Sequence, residues 1–410
     1  IIKNLNKFSN KLIDIKFNNR KIKPNEVREL FENIINNSYS EKDKIAVPLS
    51  GGLDSTAITS VIKNNKNVKF YSLVVDGTNN ESELINQTVE KWGLDHQYID
   101  WKIDYNIESL DGLIALIAEP FKAPQSLNQY SLRKQANKDG CNVLYYGEGG
   151  GLFGKSHNGK GFWSYIPELI LNFRLINAIK HCYFLSNKSY LKTIRIFFKY
   201  LFFALIWLKN YKKYPNESQD KKSSLKIFKE KYNLKDEFLD LLNDKSNFYQ
   251  SRNSIYNPFK SSILSGIISE VSPYQLNIDF VMNENFNISG KYPLLNSEMI
   301  KLILGSEINN FFDNKTNKAI WRDANKNFFP KHVNKEKRKF FRPSNSEFFY
   351  NKFVVPGFNN INFKDFLSNF FNYPNKINFY KNLNNEHEYR FWIRLYLLWR
   401  WTLVMEIDLN

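Results

Sequence analysis

Lys44-Ile45-Ala46-Val47-Pro48-Leu49-Ser50-Gly51-Gly52-Leu53-Asp54-Ser55-Thr56 decides how this chain is read. Lys44 to Leu49 reads as a buried strand that runs straight into a glycine turn, and Thr56 to Lys63 reads as a helix. Gly51 and Gly52 let the backbone turn tightly and approach a ligand closely. The N–H groups of the turn and of the helix start then face that ligand with partial positive charge. Ser50, Ser55 and Thr56 add hydroxyl groups. Such a nest suits pyrophosphate, as a Walker loop does, but the Walker lysine is missing. Asp54 is an acid among phosphate-binding donors, which makes sense when Mg²⁺ bridges it to the phosphates. The bland alternative is a capped strand–helix turn that binds nothing. Seven consecutive residues in the right strand–helix context argue against it.

Working outward, Pro24 to Asn36 reads as a helix, Val68 to Val75 as a second strand, and Glu81 to Trp92 as a helix. His96 to Ile99 is a short third strand and Asn142 to Tyr146 a fourth, with helices at Ile107 to Ala118 and Leu127 to Asn137 between them. Strands alternating with helices predict an α/β fold with a doubly wound parallel sheet. The expected organisation is an N-terminal segment over 1–40, the ATP-binding α/β core over 41–160, a basic aromatic helical insertion over 161–260, and a helical part over 261–410 that completes the site.

Within 161–260, the run Ile194 to Leu208 is apolar and aromatic and is closed by Lys209, Tyr211, Lys212 and Lys213. It is short for a membrane span and is interrupted by Lys199, so it is expected to be a buried helix. Contact of 194–213 with a membrane surface is the less favoured alternative. Residues 214–224 look like a loop or linker.

The chain has 410 residues, 42% apolar and 16% aromatic, enough for a large core. Its net charge of +17 suits an acidic partner, nucleic acid or a membrane surface. The basic residues are spread along the chain, however, and Lys and Asn are over-used throughout, so a solvated surface is the simpler reading and nucleic acid is not favoured. Cys141 and Cys182 do not suggest a disulfide framework. No histidine has metal-ligand spacing with a cysteine or another histidine, which argues against zinc. With no signal peptide and no apolar stretch of spanning length, a cytoplasmic location is the default expectation.

Ser50-Gly51-Gly52-Leu53-Asp54-Ser55 resembles the signature of the N-type ATP pyrophosphatases. Later segments narrow the resemblance to asparagine synthetase-type amidoligases. Glu119-Pro120-Phe121-Lys122-Ala123-Pro124, with Tyr130 and Arg133 after it, resembles their Glu-Pro-Phe-x-x-Pro segment. Tyr146-Gly147-Glu148-Gly149-Gly150-Gly151-Leu152-Phe153-Gly154 resembles their Gly-Glu-Gly loop. Tyr292 to Asn296 resembles Pro-Phe-Leu-Asp, and Lys318 to Arg322 resembles Lys-x-x-Leu-Arg. Val333 to Pro343, with Lys337, resembles the loop that closes the site. The matches run in family order over roughly residues 40–345.

The resemblance implies the adenine nucleotide α-hydrolase-like PP-loop fold and a ligase that splits ATP to AMP and pyrophosphate while adenylating a carboxylate. An amine or ammonia then displaces AMP. By this resemblance Leu49, Ser50, Gly51, Gly52, Asp54, Ser55, Thr56, Val75 and Gly147 bind ATP and pyrophosphate. Asp54 binds Mg²⁺, Glu148 faces the substrate and Lys337 stabilises the adenylation transition state. Family members usually carry a glutaminase domain, and this sequence does not contain one. The amine is therefore expected on the substrate itself, as free ammonia, or from a separate ammonia- or substrate-supplying protein. Peptide or lactam ring closure, natural-product amidation and amidation of a surface sugar acid all fit.

Acids are also missing. The family's second magnesium aspartate falls on Gly150 or Gly151 and its glutamate neighbour on Leu152. Another acid falls near Ser289, and the aspartate of Pro-Phe-Leu-Asp is Asn296. These losses open two other readings: a non-catalytic relative that binds nucleotide or a partner, and, less favoured, a tRNA-modifying pyrophosphatase.

Overall fold

Apolar residues alternate along the strands because successive side chains point to opposite faces, and this sheet buries both. Ile45, Val47, Phe70, Val143 and Tyr145 belong to the core on one side, while Ala46, Tyr71 and Leu144 belong to the core on the other. The computed structural model describes residues 18–73, 81–121, 124–154, 162–210, 232–237, 257–267, 274–313, 317–335, 345–372, 383 and 386–407.

The sheet is built from β1 (Ile45–Pro48), β2 (Val68–Leu73), β3 (His96–Ile99), β4 (Val143–Tyr145) and β5 (Ser289–Lys291), in the order β3-β2-β1-β4-β5. Every pairing is parallel. Pro48 has no N–H to give, and the next residue continues the ladder, Leu49 N donating to Tyr71 O at 2.7 Å. The second strand is described to Leu73; the end expected at Val75 lies outside the described residues.

The helices are α1 (Pro24–Asn36), α2 (Leu53–Ile62), α3 (Glu81–Trp92), α4 (Ile107–Ile117), α5 (Gln125–Lys138), α6 (Phe162–Leu171), α7 (Leu175–Leu185), α8 (Tyr190–Asn210), α9 (Pro258–Gly266), α10 (Leu276–Asn285), α11 (Ser297–Leu304) and α12 (Ala319–Asn325), followed by further helical segments that end with Glu386–Val404. Helix α1 turns Val27, Phe31 and Ile35 into the core, each fully buried, at about 2 kcal/mol apiece. Helix α2 begins at Leu53, three residues before the expected Thr56, so Asp54 lies in its first turn, where an acid favours the helix dipole.

The fifth strand, Ser-Gly-Lys, was not expected. It has no apolar pattern and earns its place through the backbone ladder alone, pairing Val143 with Ser289 and Tyr145 with Lys291. A second aromatic core joins α4 to the helices at 345–372 and 386–404, with Trp392, Phe349 and Tyr350 almost wholly buried.

Helix α8 corrects an expectation. Thr193, Tyr200, Ala204 and Trp207 turn inward, but Leu191, Ile194, Phe198, Phe202 and Leu205 stand exposed. The expected burial of 194–208 holds for one face only. Cys141 and Cys182 are both buried free thiols. Among the described residues no helix is long and apolar enough to cross a membrane.

Candidate active site

Strand order reverses between β1 and β4, so the loops leaving their C-terminal ends diverge around a crevice where α/β folds place ligands. The loop after β1 is Leu49–Gly52, and the loop after β4 is Tyr146–Gly149. All of the expected site residues that are described lie on these two loops or on the first turn of α2. Val75 and Lys337 lie outside the described residues.

The first loop is held open by its own hydroxyls. Ser50 Oγ and Ser55 Oγ lie 3.0 Å apart, and Ser55 Oγ also accepts from Ser50 N at 3.3 Å. Gly52 N donates to Ser50 Oγ at 3.3 Å, and Ser55 Oγ donates to Gly52 O at 3.2 Å. Gly51 adopts φ 64°, a left-handed conformation that suits glycine. The first N–H groups of α2 have no partner within the helix and point out of its end. The buried Thr56 Oγ1 also has no hydrogen-bond partner. The result is an anion cradle.

The second loop presses on the first. A Cβ at Gly147 would lie 3.5 Å from Ser55 N, an ordinary contact. A Cβ at Gly150 would lie 2.0 Å from Asp54 Oδ2, closer than any side chain could come. Nothing lies within 4 Å of the corresponding point at Gly151. Gly150 is therefore the position that faces Asp54, and no aspartate fits there in this arrangement. Leu152 is 1% exposed and belongs to the core, so it is no ligand. Glu148 is exposed on the turn before Gly149.

Lys318 is the residue the motif reading left without a role. Its Nζ donates to Asp54 Oδ2 at 2.6 Å. It sits in the left-handed region as the residue preceding α12. Trp321, one turn later, fixes this placement by stacking on Phe153 at 4.3 Å and meeting Phe31 edge-on at 4.9 Å. Packing of a fully buried tryptophan thus carries a lysine from far along the chain to the phosphate loop. The signal was present in Lys318-Ala-Ile-Trp-Arg, but the sequence does not say which carboxylate the lysine meets.

The other lost acids have different explanations. Asn296 Oδ1 accepts from Glu298 N at 2.8 Å and caps α11, a task that Asn and Asp perform about equally well. Ser289 is an exposed residue of β5. Behind the site, Arg133 is wholly buried, pairs with Asp279 at 2.6 Å and donates to Asn283 at 2.8 Å. It lies 5.0 Å from the centre of the Tyr146 ring, which stacks on Tyr292 at 4.6 Å. Burial pushes both of these phenols well above their ordinary pKa, so they remain neutral.

A magnesium site with two carboxylates does not match this geometry. Gly150 occupies the second position, and Asp54 Oδ2 is given to Lys318. Among the described residues no group of three or more His, Cys, Asp or Glu could hold a metal. One ligand position fits: Asp54 Oδ1 is buried and without a hydrogen-bond partner. Mg²⁺ accepts a single protein carboxylate when phosphate oxygens and water complete its shell.

The asparagine synthase family model matches residues 26–353, which span the sheet, both loops and Lys318. No curated protein matches the chain. With the phosphate loop, the parallel sheet and this match in agreement, the chain belongs to the asparagine synthase family, an ATP-dependent amidoligase at the family level.

Proposed function

We propose that this chain adenylates a carboxylate with ATP and passes the acyl group to an amine. The carboxylate oxygen attacks the α-phosphorus, the bond to the bridging oxygen breaks, and pyrophosphate leaves into the Ser50–Thr56 cradle. The amine nitrogen then attacks the acyl carbon, its proton is lost, and AMP departs. The observation that carries this reading is the cradle itself, with backbone N–H groups, the Ser50 and Ser55 hydroxyls and the Lys318 ammonium converging at the end of β1.

Each residue has a task. The N–H groups from Gly51 to Ser55 bind the leaving pyrophosphate, and Leu49 and Gly147 shape the walls beside it. Lys318 offsets anionic charge at the mouth of the cradle while holding Asp54 in place. Asp54 Oδ1 would hold Mg²⁺, which when bound neutralises phosphate charge. Glu148, exposed at the crevice, orients the attacking amine. Lys337 shares the charge on the transferred phosphoryl group. The amine comes from the substrate itself, from ammonia or from a supplying protein. Peptides and sugar acids are the acyl substrates to try first.

The crowding of Gly150 against Asp54 favours a second reading, a non-catalytic nucleotide-binding relative. Exchange of labelled pyrophosphate into ATP across a panel of peptides and sugar acids separates the two. Exchange with one acid, abolished in Ser50→Ala/Ser55→Ala, supports the ligase. Tight ATP binding without exchange with any acid sinks it.

A further inference from the structure

Between Glu168 and Glu217 the sequence contains no acidic residue, while Lys and Arg recur throughout. The described part of this segment forms α7 and α8, which pack on each other and on α6. More than half of the large apolar side chains that stand exposed among the described residues lie between Phe173 and Leu208. Phe173 is 90% exposed and holds a left-handed φ of 56°, a conformation rare for an aromatic residue. On α7, Leu175, Ile176 and Ile179 are also exposed.

Helix α8 shows the pattern most clearly. Leu191, Ile194, Phe198, Phe202 and Leu205 recur every three or four residues and so share one face. Leu191 is 82%, Phe198 62% and Phe202 61% exposed. Lys192, Arg195 and Lys199 also recur every three or four residues and lie exposed along one edge of that stripe. The opposite face is buried against the chain's own core through Tyr200, Ala204 and Trp207. An apolar patch of this kind is unusual on a soluble monomer and marks an interaction surface.

The charge pattern selects the occupant. A second copy set against this face by two-fold symmetry would oppose the same cations, with no acid in the segment to pair them. An apolar stripe edged by Lys and Arg matches an anionic lipid bilayer, where rings and aliphatic side chains enter the acyl boundary and the cations meet the headgroups. The geometry points to α7 and α8 as a surface that docks the protein flat on an anionic membrane. This holds whether or not the chain makes amides.

The test uses the full chain in sedimentation with vesicles of phosphatidylcholine alone and of phosphatidylcholine mixed with phosphatidylglycerol. Wild type pellets with the mixed vesicles, not with phosphatidylcholine alone, and is released by high salt. Phe198→Ser/Phe202→Ser and Lys192→Gln/Arg195→Gln each lower partitioning by about tenfold or more. Thermal unfolding of both variants stays close to wild type because the substituted side chains are exposed. Failure to pellet with anionic vesicles, equal pelleting with both vesicle types, or unchanged binding of the phenylalanine pair overturns the proposal. A wild-type dimer in light scattering that becomes a monomer in Phe198→Ser/Phe202→Ser also overturns it, since the face would then join two copies.

Discussion

Replacing Lys318 with methionine removes one charge at the phosphate loop and keeps most of the apolar stem. The ion pair to Asp54 measures 2.6 Å, with the lysine side chain 14% and the aspartate 24% exposed. Exposed pairs are worth less than about 1 kcal/mol and breaking a fully buried one costs about 3–5 kcal/mol, so this half-sheltered pair falls near 1–2 kcal/mol. Lys318→Met leaves Asp54 with both oxygens short of donors, because Oδ1 already has none. Chemical denaturation should show a loss of about 1–2 kcal/mol. The cycle with Asp54→Asn should give a coupling of similar size. Titration calorimetry with inorganic pyrophosphate should show affinity falling about tenfold, the equivalent of one lost charge contact of about 1.4 kcal/mol. If Lys318→Met binds pyrophosphate as wild type does, and the cycle shows no coupling, the lysine is a bystander and the reading of the cradle is wrong.

Gly150→Ala forces a Cβ to 2.0 Å from Asp54 Oδ2, so the carboxylate must leave Lys318; the loss should be about 2 kcal/mol or more in stability, with weaker nucleotide binding, while Gly151→Ala, in open space, changes either by less than about 0.5 kcal/mol. Asp279→Asn leaves the wholly buried Arg133 without its counter-charge and should cost about 3–5 kcal/mol in thermal or denaturant melts, against less than about 0.5 kcal/mol for an exposed control such as Lys66→Gln. Glu168 is fully buried, and that burial pushes its carboxyl up to about 7 while its neighbour Lys260 is pulled down to about 8. The folded chain then keeps a proton that the unfolded chain releases near 4.5, so stability present below pH 4.5 is lost as pH rises to 7. Stability should therefore fall across that range in wild type and stay level in Glu168→Gln, as measured by melts at each pH.

Much of the sheet could be read from sequence because its strands are short apolar runs next to glycine turns. Lys44 to Leu49 and Asn142 to Tyr146 are examples, and helix α1 was legible from Pro24 through Asn36 because proline opens it and Phe31 and Ile35 repeat at helical spacing. Strand β5 was hidden, since Ser-Gly-Lys has no apolar residue and is chosen by its neighbour's backbone. The phosphate loop was legible because its chemistry is contiguous. The Lys318–Asp54 pair was not, because Trp321 packing on Phe31 and Phe153 sets it and no local pattern records that distance. Likewise the sequence left Gly150 and Gly151 interchangeable, and only the approach of Asp54 to one of them separates the two. The apolar run of α8 looked like core because composition does not reveal which of its faces the rest of the chain covers.

On this reading the loop at the end of β1 holds the pyrophosphate end of ATP. A crystal structure of the chain with the α,β-methylene analogue of ATP and Mg²⁺ decides this. The β- and γ-phosphates should lie against the N–H groups of Gly51 to Ser55 within reach of Lys318 Nζ, with any metal on Asp54 Oδ1. Phosphates bound elsewhere in the crevice, with the Lys318–Asp54 pair undisturbed and the cradle empty, would contradict it.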